Sequence, residues 1–291
     1  MSFSINTELL KEREDSRHPA VHASTTRPSR VSDIWKAPLH DFPIRDEILC
    51  QFVSFSREMD VLEIGSGSGF TAYWLSHRVR HVTLLDVASE TINELSGQLR
   101  AATNFSFVTA DVARSGLASQ LDERFDAAFG LDVFEYLADP EATLRNMAEV
   151  LRPDGELFLT FPNTPPPRGD GVTYFDRAEN LEELLKKAGF LKWQILVVRP
   201  RRFSAAAYRL LHDRPLSFVR DLRRGNLVVR PQTYENTWAF QQRARLNRFK
   251  IPLHLYWNVL GHVIRLGGQV FESETPTKEI LGKQLVVRAW K

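Results

Sequence analysis

Between residues 60 and 199, short apolar runs alternate with segments of helical periodicity. The runs consist of Val, Leu, Ile and Phe with few polar interruptions, which is typical of strands buried on both faces. Such alternation predicts the α/β class, with a doubly wound and mostly parallel sheet. The predicted strands lie at 61–64, 82–85, 105–108, 127–129 and 157–161, and the predicted helices at about 70–78, 89–102, 139–151 and 177–188.

Turn and cap residues mark several of these boundaries. Asp139 followed by Pro140 predicts a helix cap and first turn, and Pro153 to Gly155 predicts a turn. The segment from Asp176 to Glu179 is similar to a capping box, and Gly189 predicts the end of that helix.

Two further apolar runs, at 192–198 and 284–290, predict strands near the end of the chain. About 80 residues separate them, which is too many for an ordinary loop. We therefore predict an α-rich insertion before the last strand, with helices at 215–224 and 253–266. The predicted parts are an irregular arm at 1–42, a main domain at 43–199, the insertion at 200–278 and the last strand at 279–291.

The net charge of +2 conceals an uneven distribution. Residues 1–199 contain 21 Lys and Arg against 30 Asp and Glu, whereas residues 200–291 contain 17 against 6. Residues 200–250 are the most basic segment, with 12 Lys and Arg against 3 Asp and Glu, and they are rich in aromatic residues. An anionic partner is therefore expected at this segment. Residues 200–266 are a candidate surface for peripheral membrane contact, and nucleic acid is a less favoured partner. The alternative interpretation of this segment is a lid that packs on the main domain with its arginines in solvent.

Several classes of protein and site are disfavoured. Cys50 is the only cysteine, which excludes an internal disulfide, and we expect it to be a buried small residue. The first residues lack the apolar core of a secretory signal. The most apolar stretch, 251–266, is interrupted by polar residues and is shorter than the ~20 residues that span a bilayer. We expect a cytoplasmic protein, which would lie at the inner membrane surface if it binds lipid. His254 and His262 are eight residues apart, a spacing that predicts no metal site.

The most informative segment is 60–71, with the sequence DVLEIGSGSGFT. A predicted strand enters a glycine-rich turn that opens a helix, where a ligand can approach the backbone and a negative group is favoured. A dinucleotide and S-adenosylmethionine compete for such a loop. The dinucleotide fingerprint requires glycine at position 70, which is Phe70 here, so a nucleotide-dependent oxidoreductase is disfavoured.

The spacing of Gly65, Gly67 and Gly69, with Glu63 before them, resembles motif I of class I S-adenosylmethionine-dependent methyltransferases. The resemblance continues through 125–140 (FDAAFGLDVFEYLADP) and 160–163, and is to the ubiquinone-biosynthesis O-methyltransferase type. It covers about half of the chain. It implies a seven-stranded Rossmann-like methyltransferase fold and S-adenosylmethionine as the cofactor.

The resemblance also implies roles for residues at the strand ends. Asp86, 21 residues beyond Gly65, is expected to bind the ribose, and Asp111 the adenine amino group. Val87 and Val112 are expected to flank the ring. The predicted cofactor-binding residues are Glu63, Gly65, Ser66, Gly67, Gly69, Asp86, Val87, Asp111, Val112 and Leu131.

The catalytic residues are less well defined, because methyl transfer mainly requires alignment of the nucleophile and removal of its proton. The resembling family often has Glu-His after the fourth strand, where this chain has Glu135 and Tyr136. These two are the catalytic candidates, and His40, Asn163 and Tyr174 are the candidate substrate contacts.

We predict methyl transfer to a small or lipid-linked metabolite at a hydroxyl oxygen, with an acceptor that is anionic or lies at an anionic surface. The alternative is a cofactor-binding scaffold or RNA-binding module without turnover. The insertion, with Arg220, Arg223 and Arg224 on a predicted amphipathic helix, is expected to select the acceptor.

Overall fold

The computed structural model describes residues 48–67, 69–99, 103–121, 123–137, 139–163, 173–208, 210–211, 262–276 and 279–291. In this part of the chain the strands are β1 (Asp60–Ile64), β2 (His81–Asp86), β3 (Phe105–Thr109), β4 (Phe125–Leu131), β5 (Leu151–Asn163), β6 (Lys192–Pro200), β7 (Phe271–Glu274) and β8 (Lys283–Trp290). The helices are α1 (Phe70–Ser76), α2 (Ser89–Leu99), α3 (Leu117–Gln120), α4 (Pro140–Val150), α5 (Ala178–Lys187) and α6 (Arg202–Tyr208), with a 3-10 turn at Phe134–Tyr136.

All eight described strands belong to one sheet, in the order β3-β2-β1-β4-β5-β8-β6-β7. Strands β1 to β5 pair in parallel, β8 is antiparallel to both β5 and β6, and β7 is antiparallel to β6. The predicted α/β fold is confirmed, but the sheet has eight strands instead of seven. The extra strand, Phe271–Glu274, lies within the predicted insertion and was missed because three of its four residues are exposed and polar.

Helices cover both faces of the sheet, so the fold is doubly wound. Helices α1 and α2 pack on one face, and α4 and α5 pack on the other. Alternate residues of a strand contribute to the cores on opposite faces. In β1, Leu62 and Ile64 pack in the core beneath α4 and α5, whereas Val61 packs in the core beneath α1 and α2. This alternation is the expected consequence of the two-residue period of a strand.

The predicted caps are partly right. Asp139 Oδ1 accepts a hydrogen bond from Ala142 N at 2.9 Å, with Pro140 in the first turn of α4. Gly189 has a φ of 94° and ends α5 as predicted. The capping box from Asp176 is wrong, because Arg177 is the N-cap and its side chain makes no capping bond.

The predicted turn at Pro153 to Gly155 is an irregularity within β5. Pairing with β4 shifts register between Phe125 and Ala127, and Asp154 adopts a φ of 64°. Strand β5 therefore begins at Leu151, earlier than the apolar run suggested.

The insertion leaves the sheet at the edge formed by the carboxyl ends of the parallel strands. Strand β6 runs in the same direction as β5, because both are antiparallel to β8. Pro200 and Lys283 therefore lie at the edge where Asn163 ends β5. The predicted helix at 215–224 and the arm at 1–42 lie outside the described residues, and of the predicted helix at 253–266 residues 262–265 are described and helical.

A short helical segment at 48–52 packs beside the last third of the chain. The Gln51 side chain donates from Nε2 to Phe271 O at 3.0 Å and accepts at Oε1 from Phe271 N at 2.9 Å. The amide thereby pairs with both backbone polar groups of Phe271 at the start of β7. Cys50 is exposed, so the expectation that it is buried is wrong.

An ion-pair network lies at the opposite edge, where β1 and β4 begin. Buried Asp60 accepts hydrogen bonds from Arg80 Nε at 2.7 Å and from Arg152 Nη2 at 2.8 Å, and Arg152 also pairs with Asp126. The Arg80 guanidinium, and with it Arg152, lowers the pKa of Asp60 below its usual value. This network holds the strand starts together and is remote from the glycine loop.

Candidate active site

The glycine loop joins β1 to α1 and is held in place by the neighbouring strand. Gly65, Gly67 and Gly69 have φ values of 68°, 49° and 69°, in the left-handed region that favours glycine. Gly65 N donates to Leu85 O at 2.9 Å, which fixes the start of the loop against β2. The repeated glycines are therefore required by the backbone path itself.

The three glycines differ in what surrounds them. A Cβ on Gly65 would lie 2.4 Å from Val133 Cγ2, and one on Gly69 would lie 2.4 Å from Leu95 Cδ2. A Cβ on Gly67 would meet only the loop's own Gly65 O, at 3.9 Å. Gly65 and Gly69 thus allow close packing within the protein, whereas the exposed Gly67 backbone is open to a ligand.

Two carboxylates lie at the carboxyl ends of β2 and β3, as predicted. Buried Asp86 accepts from Ala88 N through Oδ1 at 3.0 Å, and Asp111 accepts from Ala113 N at 2.9 Å. Ala110 N donates to Asp86 O at 3.0 Å, which ties the ends of the two strands together. Both aspartates thus lie at one edge of the sheet in fixed turns.

The hydrophobic residues predicted to flank the cofactor lie beside these aspartates. Val87 is half-buried, Val112 is buried, and Leu131 is buried at the end of β4. Glu63 and Ser66 are also buried, and Ser66 Oγ donates to Leu85 O at 3.4 Å. Their assignment to the cofactor remains a prediction.

Asn146 of α4 holds the loop after β3 and was missed by the sequence reasoning. Its buried amide donates to Val112 O at 2.7 Å and to Arg114 O at 2.9 Å. A polar residue between Leu144 and Met147 on the buried face of an amphipathic helix was the signal that marked it. Asn146 fixes the position of Val112 and, through it, of the predicted adenine pocket.

The segment after β4 meets the loop after β5, as expected from the parallel topology. Thr173 N donates to Glu135 O at 2.7 Å, and Thr173 Oγ1 donates to Leu137 O at 3.1 Å. The Glu135 residue is only 2 % exposed, whereas Tyr136 and Tyr174 are each 44 % exposed. The two tyrosines are therefore accessible from solvent, and His40 lies outside the described residues.

Asn163 has a structural position that its candidate role as a substrate contact did not anticipate. Its Nδ2 donates to Phe175 O at 2.7 Å and to Ile280 O at 2.8 Å, and its Oδ1 accepts from Phe175 N at 2.7 Å. The residue is fully buried. Asn163 therefore anchors the loops around β8, and its role as a substrate contact remains a prediction.

Asp132, directly after β4, was also missed. Its φ is 54°, and its Oδ1 accepts from Thr160 Oγ1 at 3.2 Å and from Gln284 Nε2 at 3.1 Å. It follows Leu131 and precedes Val133, so it lies at the junction of the glycine loop and the β5 and β8 ends. No sequence pattern marked it, because its partners come from distant parts of the chain.

The residues present fit S-adenosylmethionine. That molecule carries an amino-acid group, a ribose with two hydroxyls and an adenine, and the site has an open glycine backbone followed by carboxylates at two adjoining strand ends. Among the described residues, no group of three or more His, Cys, Asp or Glu is arranged to hold a metal ion. In the same part of the chain, no helix is long and apolar enough to cross a membrane.

Sequence comparison places this site within a known family model. Residues 62–159 match the model described as Methyltransferase domain. The chain is 27 % identical over 132 residues to a ubiquinone biosynthesis O-methyltransferase from Pseudomonas fluorescens, covering 44 % of this chain and 55 % of that protein. It is 32 % identical over 110 residues to a tRNA 5-carboxymethoxyuridine methyltransferase from Escherichia coli, and this match covers 37 % of this chain and 41 % of that protein. The chain thus spans about half the length of the curated relatives it matches.

Solved structures share the fold. Phosphoethanolamine N-methyltransferase 2 from Haemonchus contortus, in complex with S-adenosyl-L-methionine, matches with a TM-score of 0.57 and 13 % identity, over 97 % of this chain and 60 % of that chain. The [4+2]-cyclase SpnF matches with a TM-score of 0.56 and 15 % identity, over 99 % of this chain and 97 % of that chain. At these identities the likeness concerns the fold, and it includes a protein named for a different reaction.

Proposed function

We propose that this chain, whose core is a class I methyltransferase domain, transfers the methyl group of S-adenosylmethionine to a hydroxyl oxygen of a small or lipid-linked metabolite. The observation that carries the proposal is the alignment of the open Gly67 backbone with Asp86 and Asp111 at one sheet edge. Each feature alone is common in α/β proteins. Their combination at successive strand ends supports a site for this cofactor.

In this role each part of the site has a distinct task. The glycine backbone accommodates the amino-acid group, Asp86 accepts hydrogen bonds from the ribose hydroxyls, and Asp111 receives the adenine amino group. The bound cofactor supplies a methyl group on a positively charged sulfur, which is a good leaving group. The protein's remaining work is to align the acceptor and accept its proton.

Oxygen is the proposed acceptor atom because the resemblance after β4 and the first relative named above are of the O-methyltransferase type. The tRNA methyltransferase shares a similar stretch and acts on a different kind of acceptor by its name. The fold itself is compatible with several reactions, so the acceptor has to be argued from the rest of this chain.

The place where the insertion leaves the sheet supports its proposed role in acceptor selection. Pro200 and Lys283 lie at the same edge as the ends of β1 to β5, so the intervening chain begins and ends beside the proposed site. The residues from 200 to 250 carry the excess of positive charge. An anionic acceptor approaching this edge would be attracted to it.

The described base of the insertion combines exposed apolar and basic side chains. Phe203 is 50 % exposed, Leu266 is more exposed still, and Arg202 and Arg265 are exposed near them in sequence. Ser204 Oγ donates to Ile264 O at 3.1 Å, which holds the two chain segments together. This combination supports the proposal that the protein contacts an anionic membrane surface, at the inner, cytoplasmic face of the membrane.

The proposal is tested with methyl-tritiated S-adenosylmethionine and a metabolite extract of the source cells, divided into organic, aqueous and RNA fractions. We expect label in the organic or small-molecule fraction and formation of S-adenosylhomocysteine in equal amount. Alkaline-stable label would indicate an ether and not an ester. Label confined to RNA would redirect the proposal to an RNA acceptor, and no label in any fraction would contradict turnover.

A further inference from the structure

We infer that Asp132, and not Glu135, is the carboxylate that accepts the proton of the acceptor hydroxyl. The inference rests on the proposed methyl transfer and adds a residue that the sequence reasoning did not single out. It follows from the place of Asp132 in the sheet, its backbone conformation and the partners of its side chain.

Asp132 lies between the proposed cofactor side and the proposed acceptor side. Its neighbour Val133 packs against the Cα of Gly65 in the glycine loop. Its own Oδ1 is held by Thr160 of β5 and Gln284 of β8. In the strand order β1-β4-β5-β8, Asp132 therefore lies between the glycine loop after β1 and the beginning of β8, and on the proposed function the acceptor would meet the methyl group there.

The backbone at Asp132 is left-handed, a conformation that glycine adopts freely and other residues rarely adopt. Its N–H donates to Thr160 O at 2.7 Å, which fixes this conformation at the end of β4. Strained backbone of this kind persists where surrounding structure determines it, and it is concentrated at functional sites. Among the described residues other than glycine, only Asp154 shares this conformation.

The side chain of Asp132 is both oriented and accessible. Hydrogen bonds from Thr160 and Gln284 to one oxygen restrict its rotamer, and the residue is partly exposed. Glu135, by contrast, is 2 % exposed, and its backbone carbonyl accepts a hydrogen bond from Thr173 N. A carboxylate must reach the acceptor hydroxyl directly, so accessibility favours Asp132.

The proposed step conserves atoms and charge. The acceptor O–H bond breaks and its proton passes to the Asp132 carboxylate, while an oxygen electron pair forms the new O–C bond. The S–C bond breaks with its electron pair retained by sulfur, which loses its positive charge. Thr160 and Gln284 act as positioning residues, because they hold the carboxylate without touching the reacting atoms.

The decisive comparison is between Asp132→Asn and Asp154→Asn. Asparagine tolerates the left-handed conformation and keeps an oxygen that can accept from Thr160 and Gln284, so both variants should fold. Asp154 is exposed near the opposite edge and is the matched control. Measurements are label transfer from methyl-tritiated S-adenosylmethionine to the cell extract, calorimetric affinity for S-adenosylhomocysteine, and Tm.

We expect Asp132→Asn to lower label transfer by about 100-fold or more, with unchanged affinity for S-adenosylhomocysteine and a Tm within about 2 °C of the wild type. Asp154→Asn should match the wild type in all three. Gln284→Leu should lower the rate less, and mainly through kcat. If Asp132→Asn is as active as an active wild type, this inference is overturned and the proposed function stands. If Asp132→Asn loses both activity and affinity for S-adenosylhomocysteine, Asp132 belongs to the cofactor site and this inference is also overturned. An inactive wild type overturns the proposed function and this inference together.

Discussion

Gly65 and Val133 are in such close contact that a Cβ on Gly65 would lie 2.4 Å from Val133 Cγ2 and 2.9 Å from Val133 Cβ. The contact joins the loop after β1 to the segment after β4. Because Val133 is β-branched and stiff at χ1, it has little freedom to move away. The glycine loop and the residues around Asp132 are therefore positioned as one unit.

We expect Gly65→Ala to disrupt both stability and cofactor binding. The new methyl group would clash with Val133, and alanine disfavours the φ of 68° at this position. We predict a loss of about 2–4 kcal/mol in the free energy of unfolding and at least about a tenfold weaker affinity for S-adenosylhomocysteine. Denaturant unfolding and calorimetric titration measure the two effects.

Gly97→Ala is the matched control, since Gly97 lies within α2 and nothing is within 4 Å of its added Cβ. It should raise stability by about 0.5–1 kcal/mol without changing cofactor affinity. Adding Val133→Ala to Gly65→Ala should recover part of the stability, because it removes the clash but not the backbone strain. Wild-type behaviour of Gly65→Ala would show that the loop is not constrained in this way.

Asn146→Ala should weaken cofactor binding from a distance. The substitution removes two hydrogen bonds to the carbonyls of Val112 and Arg114, leaving both carbonyl oxygens without that donor. A cost of about 1–3 kcal/mol in stability is expected. Hydrogen exchange of residues 111–114 should become faster, and if these amides are unchanged, Asn146 does not hold this loop.

The Asp60 network predicts a specific loss of stability in acid. The folded pKa of Asp60 is lowered mainly by Arg80, so its stabilisation is complete above the unfolded carboxyl pKa of about 3.9 and is lost as the pH falls through the lower folded value. Asp60→Asn should cost about 1–3 kcal/mol at pH 7, less than for a fully buried pair because Arg80 is exposed. The difference in unfolding free energy between the variant and the wild type should therefore shrink as the pH falls below about 3.9, and a difference that is the same at pH 7 and at pH 3 argues against the linkage.

Replacing Arg220, Arg223 and Arg224 together by Gln tests the role of the insertion. We expect weaker sedimentation with vesicles of phosphatidylglycerol and phosphatidylcholine, or a higher KM for the labelled acceptor, with unchanged cofactor affinity. The control replaces the exposed Arg57, Arg124 and Lys186 by Gln, which removes the same charge from the first part of the chain. If the two triple variants behave alike in both assays, the effect is one of net charge and the insertion has no specific role.

Much of the fold could be predicted from the sequence because its signals are local. Near-continuous apolar runs identified β1 to β6 and β8, and Asp139 with Pro140 marked the start of α4. The glycine spacing located the loop after β1, and Asp86 and Asp111 followed from their positions after apolar runs. These features depend on residues close together in the chain.

Several of the misses involve contacts between distant segments of the chain. The predicted capping box at Asp176 is wrong because the backbone there is held by a distant segment. The Asp176 carbonyl accepts a hydrogen bond from Ile280 N at 3.2 Å, about 100 residues away in the chain. Strand β7 forms from polar residues because it pairs with β6 and because Gln51 bonds to the backbone of Phe271 at its start. Asp132 was missed for the same reason, since Gln284, which helps to orient its side chain, belongs to β8, and the contacts of Asn163 likewise include Ile280 in the loop before β8.

The most direct test is calorimetric titration of the wild type and of Asp86→Asn with S-adenosylhomocysteine. Asparagine keeps an oxygen for the bond from Ala88 N but removes the charge that would receive the ribose hydroxyls. We predict one site per wild-type chain, and about 10- to 100-fold weaker binding by a folded Asp86→Asn, equivalent to about 1.5–3 kcal/mol. Absence of binding by the wild type at millimolar ligand, or an equal Kd for the two proteins, would contradict the assignment of this site.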